Sequence, residues 1–294
     1  MPDAALRDSR PRTPSEVDSF RPSAARMYDY YLGGSNHLAA DREAADALLD
    51  AVPQVAEVAR QNREFLHRVV EYAVQHGVTQ FLDLGSGYAS PGGLPEVALA
   101  HDPSCRVVAV DIDPAVVAQV QTIVRTSRLS GQVGAVHSDL RDLTAILEHP
   151  VTQRLIDFDR PVAILCLAVL HFVPGDLQHR VLAPLRRTAA RGSLLALSHA
   201  TAAAPTPTDA PVPPGRAQSI GVSRPDPSTI VRLIYDCTLT PLTLRTESEL
   251  RRAIGDLDLV SPGLVPVDRW HPPSSGPETV VPPISSLLAA VAQL

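Results

Sequence analysis

The sequence predicts a doubly wound α/β fold: a mostly parallel sheet of seven strands with helices on both faces and a helical extension ahead of it. From residue 80 onward, short apolar runs alternate with stretches long enough for crossover helices. The runs are continuously apolar, which is typical of parallel strands buried on both faces. With 294 residues, 45% of them hydrophobic, the chain is long enough to build one large core.

Helical periodicity dominates before this alternation starts. Residues 1–22 are polar and rich in proline, so we predict a disordered arm there. Apolar residues recur at helical spacing through most of residues 23–77, with a break at Gly33 and Gly34 and a stop at Gly77. This segment is therefore predicted to be a helical extension or lid.

The rest of the chain, residues 78–294, is predicted to form the α/β domain. Its central strands are predicted from five runs: QFLDL, RVVAVD, VGAVHSD, PVAILCLAVL and SLLALSH. A proline-rich stretch over 201–225 predicts an exposed loop. Two late runs, 257–265 and 287–292, predict strands that complete the sheet from its edge.

Composition excludes several functions. All 26 basic residues are arginine and the net charge is −6, so lysine-based chemistry is excluded and a basic groove for nucleic acid is not indicated. The three cysteines lie far apart without a C-x-x-C spacing, which predicts neither a metal site nor disulfides. We find no secretory signal or membrane-length apolar run, and we expect a cytoplasmic protein with no membrane or nucleic-acid partner.

A glycine-rich turn follows the first predicted strand. The string FLDLGSG places Asp83 at the strand end and Gly85 and Gly87 in the turn. Glycine lets the backbone turn sharply and approach a bulky ligand that a Cβ atom would exclude. A purely structural turn uses glycine too, so this motif alone does not distinguish a ligand-binding turn from a structural one.

Two further acids follow the next two predicted strands. Asp111 stands where nucleotide-binding α/β folds place an acceptor for ribose hydroxyls, and Asp139 stands where a carboxylate can accept from an adenine amino group. Asp113, followed by Pro114, is interpreted as the cap of a helix. Because parallel strands end at one edge of a sheet, the acids are expected to meet there.

The loop after the glycines favours one class of ligand. A dinucleotide fold normally carries G-x-G-x-x-G/A, whereas Ser90 occupies the third small position here and Pro91 follows it. The loop does not run straight into a helix, so a pyrophosphate has no obvious cradle. S-adenosylmethionine carries no phosphate and needs no such cradle. Its binding is also compatible with the three acids Asp83, Asp111 and Asp139.

Four passages make a closer resemblance possible. They are ARMYDYYLGG with Asp41-Arg42, then QNREFL, then AVLHFVP, and finally PGLVPV with Arg269-Trp270. On these passages the chain resembles a methyltransferase family of high-GC Gram-positive bacteria that was formerly a domain of unknown function. The resemblance implies a class I, Rossmann-like methyltransferase that uses S-adenosylmethionine on a small-molecule acceptor. The implied cofactor set adds Ile112, Leu140 and Ala168 to the glycines and acids.

Acceptor-side residues are indicated less clearly. His171 and His199 follow strands at the rim, and His171 is the candidate catalytic base; each could instead orient a loop. Tyr28 and Tyr31 stand just before Gly34, and these residues are lid or substrate candidates that could equally be permanent core.

Three functions remain open from the residues. The leading one is an S-adenosylmethionine-dependent methyltransferase, the second an NAD-dependent oxidoreductase, and the third a non-catalytic regulatory protein that binds S-adenosylmethionine. Asp139 and the missing third glycine argue against the second. No residue of the sequence distinguishes the methyltransferase from the non-catalytic regulatory protein.

Overall fold

The computed structural model describes residues 18–201, 227–238, 240–272 and 287–294. Most of the arm predicted over 1–22, and all of the proline-rich loop after Thr201, lie outside these ranges. The N-terminal helices are α1 (Ala24–Tyr31), α2 (Ala39–Ala51) and α3 (Val55–Gln75). The break between α1 and α2 and the end of α3 fall at the predicted glycines, where Gly33 and Gly77 adopt positive φ.

Within the described ranges, eight strands form one sheet. They are β1 (Gln80–Leu84), β2 (Arg106–Asp111), β3 (Val133–His137), β4 (Ala163–Leu167), β5 (Leu194–Ala200), β6 (Asp258–Leu259), β7 (Val265–Pro266) and β8 (Leu287–Gln293). The order is β3-β2-β1-β4-β5-β8-β6, and β7 also pairs with β8. The first five strands are mutually parallel, and β8 is antiparallel to its neighbours. The doubly wound, mostly parallel sheet is confirmed.

The strand count differs from the prediction of seven. The run over 257–265 is two short strands rather than one, because Pro262 lacks an N–H and Gly263 turns the backbone with a φ of 89°. Both short strands pair with β8. As predicted, the late strands complete the sheet from its edge, since β8 lies beside β5 and β6 lies beyond β8.

The remaining helices connect and cover these strands. They are α4 (Leu94–His101), α5 (Pro114–Thr126), α6 (Leu143–Leu147), α7 (Pro150–Leu155), α8 (Ala183–Thr188), α9 (Pro227–Asp236) and α10 (Glu247–Ile254). Asp113 caps α5 as predicted, since its carboxylate accepts a hydrogen bond from the N–H of Ala115 at 2.9 Å. None of the helices in the described ranges combines the length and the apolarity that crossing a bilayer requires.

Two apolar layers sandwich the sheet. On one face α3 and α4 pack through residues such as Phe65, and Trp270 is fully buried in the same layer. The other face is covered by α6, α7, α8 and α10. A third, smaller cluster joins α1, α2 and α9 through Met27, Leu48 and Tyr235, and it lies outside the two sheet layers. The extension is thus packed against a late helix of the domain.

Candidate active site

A cavity of about 710 Å³ opens at the carboxyl ends of β1 to β4. Its lining includes all the predicted site residues except Gly34: Asp83, Gly85, Gly87, Asp111, Ile112, Asp139, Leu140, Ala168, Tyr28, Tyr31 and His171. They come together because parallel strands end at the same edge, where the strand order reverses at β1 and β4.

The two glycines of the turn are required for different reasons. Both have positive φ, 78° at Gly85 and 62° at Gly87. A Cβ atom on Gly85 would lie 2.2 Å from Cγ2 of Val169, whereas one on Gly87 would meet nothing within 4 Å. Gly85 therefore permits tight packing inside the protein. Gly87 keeps open space in the cavity.

Asp111 shapes the turn from the neighbouring strand. Its carboxylate accepts hydrogen bonds from the N–H of Gly87 at 2.8 Å and from the N–H of Asp113 at 2.9 Å. Burial raises the pKa of this carboxyl group to about 6, against the opposing effect of these bonds. A carboxylate offers about four lone-pair sites, so capacity is left for hydroxyl groups of a ligand.

Asp83 lies beside a cation that sequence reasoning did not single out. Burial raises the pKa of Asp83 to about 7, and the nearby Arg63 opposes that rise. Arg63 also lines the cavity and donates to the hydroxyl of Ser90 at 3.1 Å. Its only sequence signal is its place in QNREFL, where polar residues interrupt the buried face of α3.

Asp139 is engaged within the protein. Nε of Arg141 donates to its Oδ1 at 2.9 Å, and the N–H of Arg141 donates to the same oxygen at 2.9 Å. The pair is almost fully buried, with side-chain exposures of 9% for Arg141 and 6% for Asp139. Asp139 therefore holds the loop after β3 in place, and its predicted contact with an adenine amino group stays a prediction.

A chain of hydrogen bonds connects the extension to the loop after β4. The hydroxyl of Tyr28 accepts from Nδ2 of Asn62 at 2.9 Å, and Oδ1 of Asn62 accepts from Oγ of Ser198 at 2.6 Å. That Oγ in turn accepts from the N–H of Ala168 at 2.8 Å. Ala168 has a φ of 51°, which a side chain disfavours, so the chain stabilises a strained backbone at the cavity.

His171 and His199 have different positions. His171 lines the cavity, and the N–H of Ala200 donates to its Nδ1 at 3.3 Å. Burial, reinforced by His199 and Arg245, lowers the pKa of His171 well below its usual value. The neutral ring therefore carries its proton on Nε2, which makes His171 a hydrogen-bond donor.

His199 does not line the cavity but orients a loop, which was the alternative interpretation. It is fully buried, and its Nε2 accepts from Nη1 of Arg245 at 2.9 Å. Arg245 then donates to three carbonyl groups of the segment that follows β4: Leu170, Val173 and Gly175. Arg245 thus positions the segment that carries His171, and it was missed because its partners are remote in sequence.

Comparisons with known proteins agree with this geometry. A family described as S-adenosyl methyltransferase matches residues 10–294. The chain belongs to this S-adenosyl methyltransferase family. A presumed methyltransferase from Thermobifida fusca YX has a similar structure, with 31% identity, a TM-score of 0.79, and 94% of this chain and 96% of that one covered. A DUF574 family protein from Streptomyces avermitilis MA-4680 has 31% identity and a TM-score of 0.80, over 94% and 98% of the two chains. No curated protein matches the chain.

In this methyltransferase, the passage ARMYDYYLGG forms an anchor for the extension. Arg26 is buried and donates from Nε to Oδ2 of Asp41 at 2.7 Å, while Oδ1 of Asp41 accepts from the N–H of Ser23. The hydroxyl of Ser23 donates to Oδ2 of Asp113 at 3.1 Å. This bond attaches the extension to Asp113, which lies two residues after Asp111 at the edge of the sheet.

Gly34 belongs to this anchor and not to the cavity. A Cβ atom there would lie 2.2 Å from Oδ1 of Asp29. That carboxylate accepts from the N–H of Asn36 at 2.7 Å and so closes the turn between α1 and α2. The glycine is needed for the close approach of Asp29, which explains the motif without a ligand contact.

Proposed function

We propose that this methyltransferase uses S-adenosylmethionine to methylate a small molecule held in the cavity. The observation that carries the proposal is the lining of one cavity by the glycine turn, the acids at the ends of β1 and β2, and open space at Gly87. Its volume of about 710 Å³ is within the range of small-ligand sites, roughly 300–1,000 Å³.

The residues present fit the chemical groups of this cofactor. Arg63 and Asp83 supply opposite charges that suit the carboxylate and ammonium groups of its amino-acid end. Asp111 supplies an acceptor for the ribose hydroxyls. The wide loop between β1 and α4 offers no helix start directly after the glycines, which favours a ligand without phosphates.

When bound, the cofactor supplies an electrophilic methyl group whose leaving group is a neutral thioether, so the protein needs no acid for departure. The protein's contribution is then to bind, orient and exclude water. His171 faces the cavity with Nε2–H as a donor, and we propose that it orients the acceptor instead of acting as its base. Arg245 keeps that ring in place through the loop.

Asp111→Ala tests the proposed cofactor site. We expect the dissociation constant for S-adenosylmethionine to rise at least about tenfold, because a charged hydrogen-bond acceptor contributes roughly 1.5–3 kcal/mol. Isothermal titration calorimetry measures the change. Asp142→Ala is the matched control, since the carboxylate of Asp142 also accepts a hydrogen bond from a backbone N–H but Asp142 does not line the cavity. Equal affinity of the Asp111 variant and the wild type would show that Asp111 does not bind the cofactor.

Affinity for S-adenosylmethionine is also expected to rise between pH 6 and pH 8. Burial raises the pKa of Asp83 to about 7 and that of Asp111 to about 6, so raising the pH ionises both groups in the free protein. The carboxylate form of Asp83 attracts an ammonium group and the acid form does not. Asp83→Asn should bind more weakly and show a flatter pH profile by calorimetry. A profile as steep as that of the wild type would contradict the assignment.

A further inference from the structure

The cavity extends from the sheet edge to a part that is lined by α1, α2, α9 and residues 240–244. Its walls there are largely aliphatic, with Leu48 from α2, Val52 directly after that helix, Val231 from α9, and Leu242. The helices α2 and α9 pack against each other, so this part of the cavity is closed on that side. We call it the acceptor compartment, because the cofactor groups discussed above are accounted for at the sheet edge.

Aromatic rings form much of the rest of its wall. Tyr28, Tyr31 and Tyr235 are three of the chain's six tyrosines, and all three line the cavity. Phe172 lies against Tyr235 with ring centroids 5.7 Å apart. Burial raises the pKa of Tyr28, of Tyr31 and of Tyr235, so these side chains are uncharged phenols at neutral pH. Such surfaces favour contact with a flat, apolar ligand.

Two buried hydroxyl groups in this wall lack a partner among the described residues. They are Oη of Tyr31, a residue only 6% exposed, and Oγ1 of Thr240. Tyr28 is different, because its hydroxyl is bonded to Asn62 and to the carbonyl of Ala59. A buried hydroxyl without a partner is unfavourable by about 1–3 kcal/mol, so a bound molecule that supplies hydrogen-bonding atoms is stabilised here.

Among the described residues, charge in the acceptor compartment lies on side chains that reach solvent or is already paired. Of the described charged residues on this side, Arg21 and Asp236 are exposed and Asp18 is half-buried. Arg26 is buried but is neutralised by Asp41. A charged group on a ligand would therefore lose hydration without gaining a counter-ion, which is strongly unfavourable.

We infer that the methyl acceptor is an uncharged aromatic ring compound bearing at least one hydroxyl group, which bonds to the hydroxyls of Tyr31 and Thr240. Aliphatic and aromatic walls bind the ring skeleton, and the two free hydroxyls fix its orientation. The inference rests on the proposed function, since it assigns the acceptor side of the same site.

The test uses 1-naphthol as a probe and 1-naphthoate as its charged counterpart. Each is titrated by calorimetry into the full chain saturated with S-adenosylhomocysteine. We expect 1-naphthol to bind and 1-naphthoate to bind at least about tenfold more weakly. The double variant Tyr31→Phe/Thr240→Val should weaken 1-naphthol binding about tenfold through the loss of two neutral hydrogen bonds, with the affinity for S-adenosylhomocysteine unchanged.

Tyr30→Phe is the matched control. The hydroxyl of Tyr30 is bonded to Asp46 at 2.8 Å and does not line the cavity, so this variant should bind 1-naphthol like the wild type. Binding of S-adenosylhomocysteine without binding of 1-naphthol overturns the inference and leaves the proposed function standing. So does equal binding of 1-naphthoate, or full affinity for 1-naphthol in the double variant. Failure of S-adenosylhomocysteine itself to bind overturns the proposed function and the inference with it.

Discussion

Arg26→Met is expected to lower the free energy of unfolding by about 3–5 kcal/mol, the usual effect of leaving one partner of a buried ion pair without its counter-charge. Asp41 is 0% exposed, and Arg26 is its cation at 2.7 Å. Methionine retains much of the apolar volume, so the loss reports on charge and hydrogen bonding more than on packing. Urea denaturation followed by circular dichroism measures it.

The control for this variant is Arg60→Met. Arg60 pairs with Glu57 on the same extension, but the two side chains are 56% and 39% exposed. Exposed pairs contribute roughly 0–1 kcal/mol, so this change should be nearly neutral. If both variants lost the same small amount, Arg26 and Asp41 would not form the buried pair described here.

The two glycines of the turn should separate binding from stability. Gly87→Ala is expected to abolish detectable binding of S-adenosylhomocysteine, because the new methyl group occupies open cavity space beside the amide held by Asp111. Its effect on stability should stay near the roughly 1–2 kcal/mol that a left-handed backbone costs an L-residue. Gly85→Ala adds a steric clash with Val169 and should lower stability by about 2–5 kcal/mol.

A second-site change checks the cause. Val169→Ala removes Cγ2, the atom nearest to the new Cβ on Gly85, but keeps the Val169 Cβ at 2.7 Å, so the double variant Gly85→Ala/Val169→Ala should regain part of the lost stability. Thermal unfolding and calorimetry on the same preparations give both quantities. A Gly87→Ala protein with wild-type affinity would show that the turn needs glycine for its backbone conformation alone.

The sequence was sufficient for features whose signals are local. Five strands, the helix stops and the edge at which Asp83 and Asp111 meet follow from runs of apolar residues and from the shared direction of parallel strands. The division of the late run into β6 and β7 was missed, because an apolar stretch does not show where a turn at Pro262 interrupts pairing.

Residues that act through distant partners could not be found in this way. Asn62 meets Ser198 across 136 positions, and Arg245 meets His199 across 46. No spacing rule identifies such partners, since the contact exists only once the chain is folded. Gly85 illustrates a subtler limit: the motif indicates a glycine turn, but nothing in the sequence shows that a Cβ atom on Gly85 would meet Val169.

Hydrogen bonds run from Tyr28 through Asn62 to Ser198, so the geometry of the site depends on both the extension and the sheet. A sheet domain cut free of its first helices would keep the acids and glycines yet lose the support of the strained backbone at Ala168. Exchange of the extension between relatives, for instance to alter acceptor preference, is therefore feasible only where the incoming α3 carries an amide at the position of Asn62. A domain transferred as a whole would therefore have to include the extension as well as the sheet.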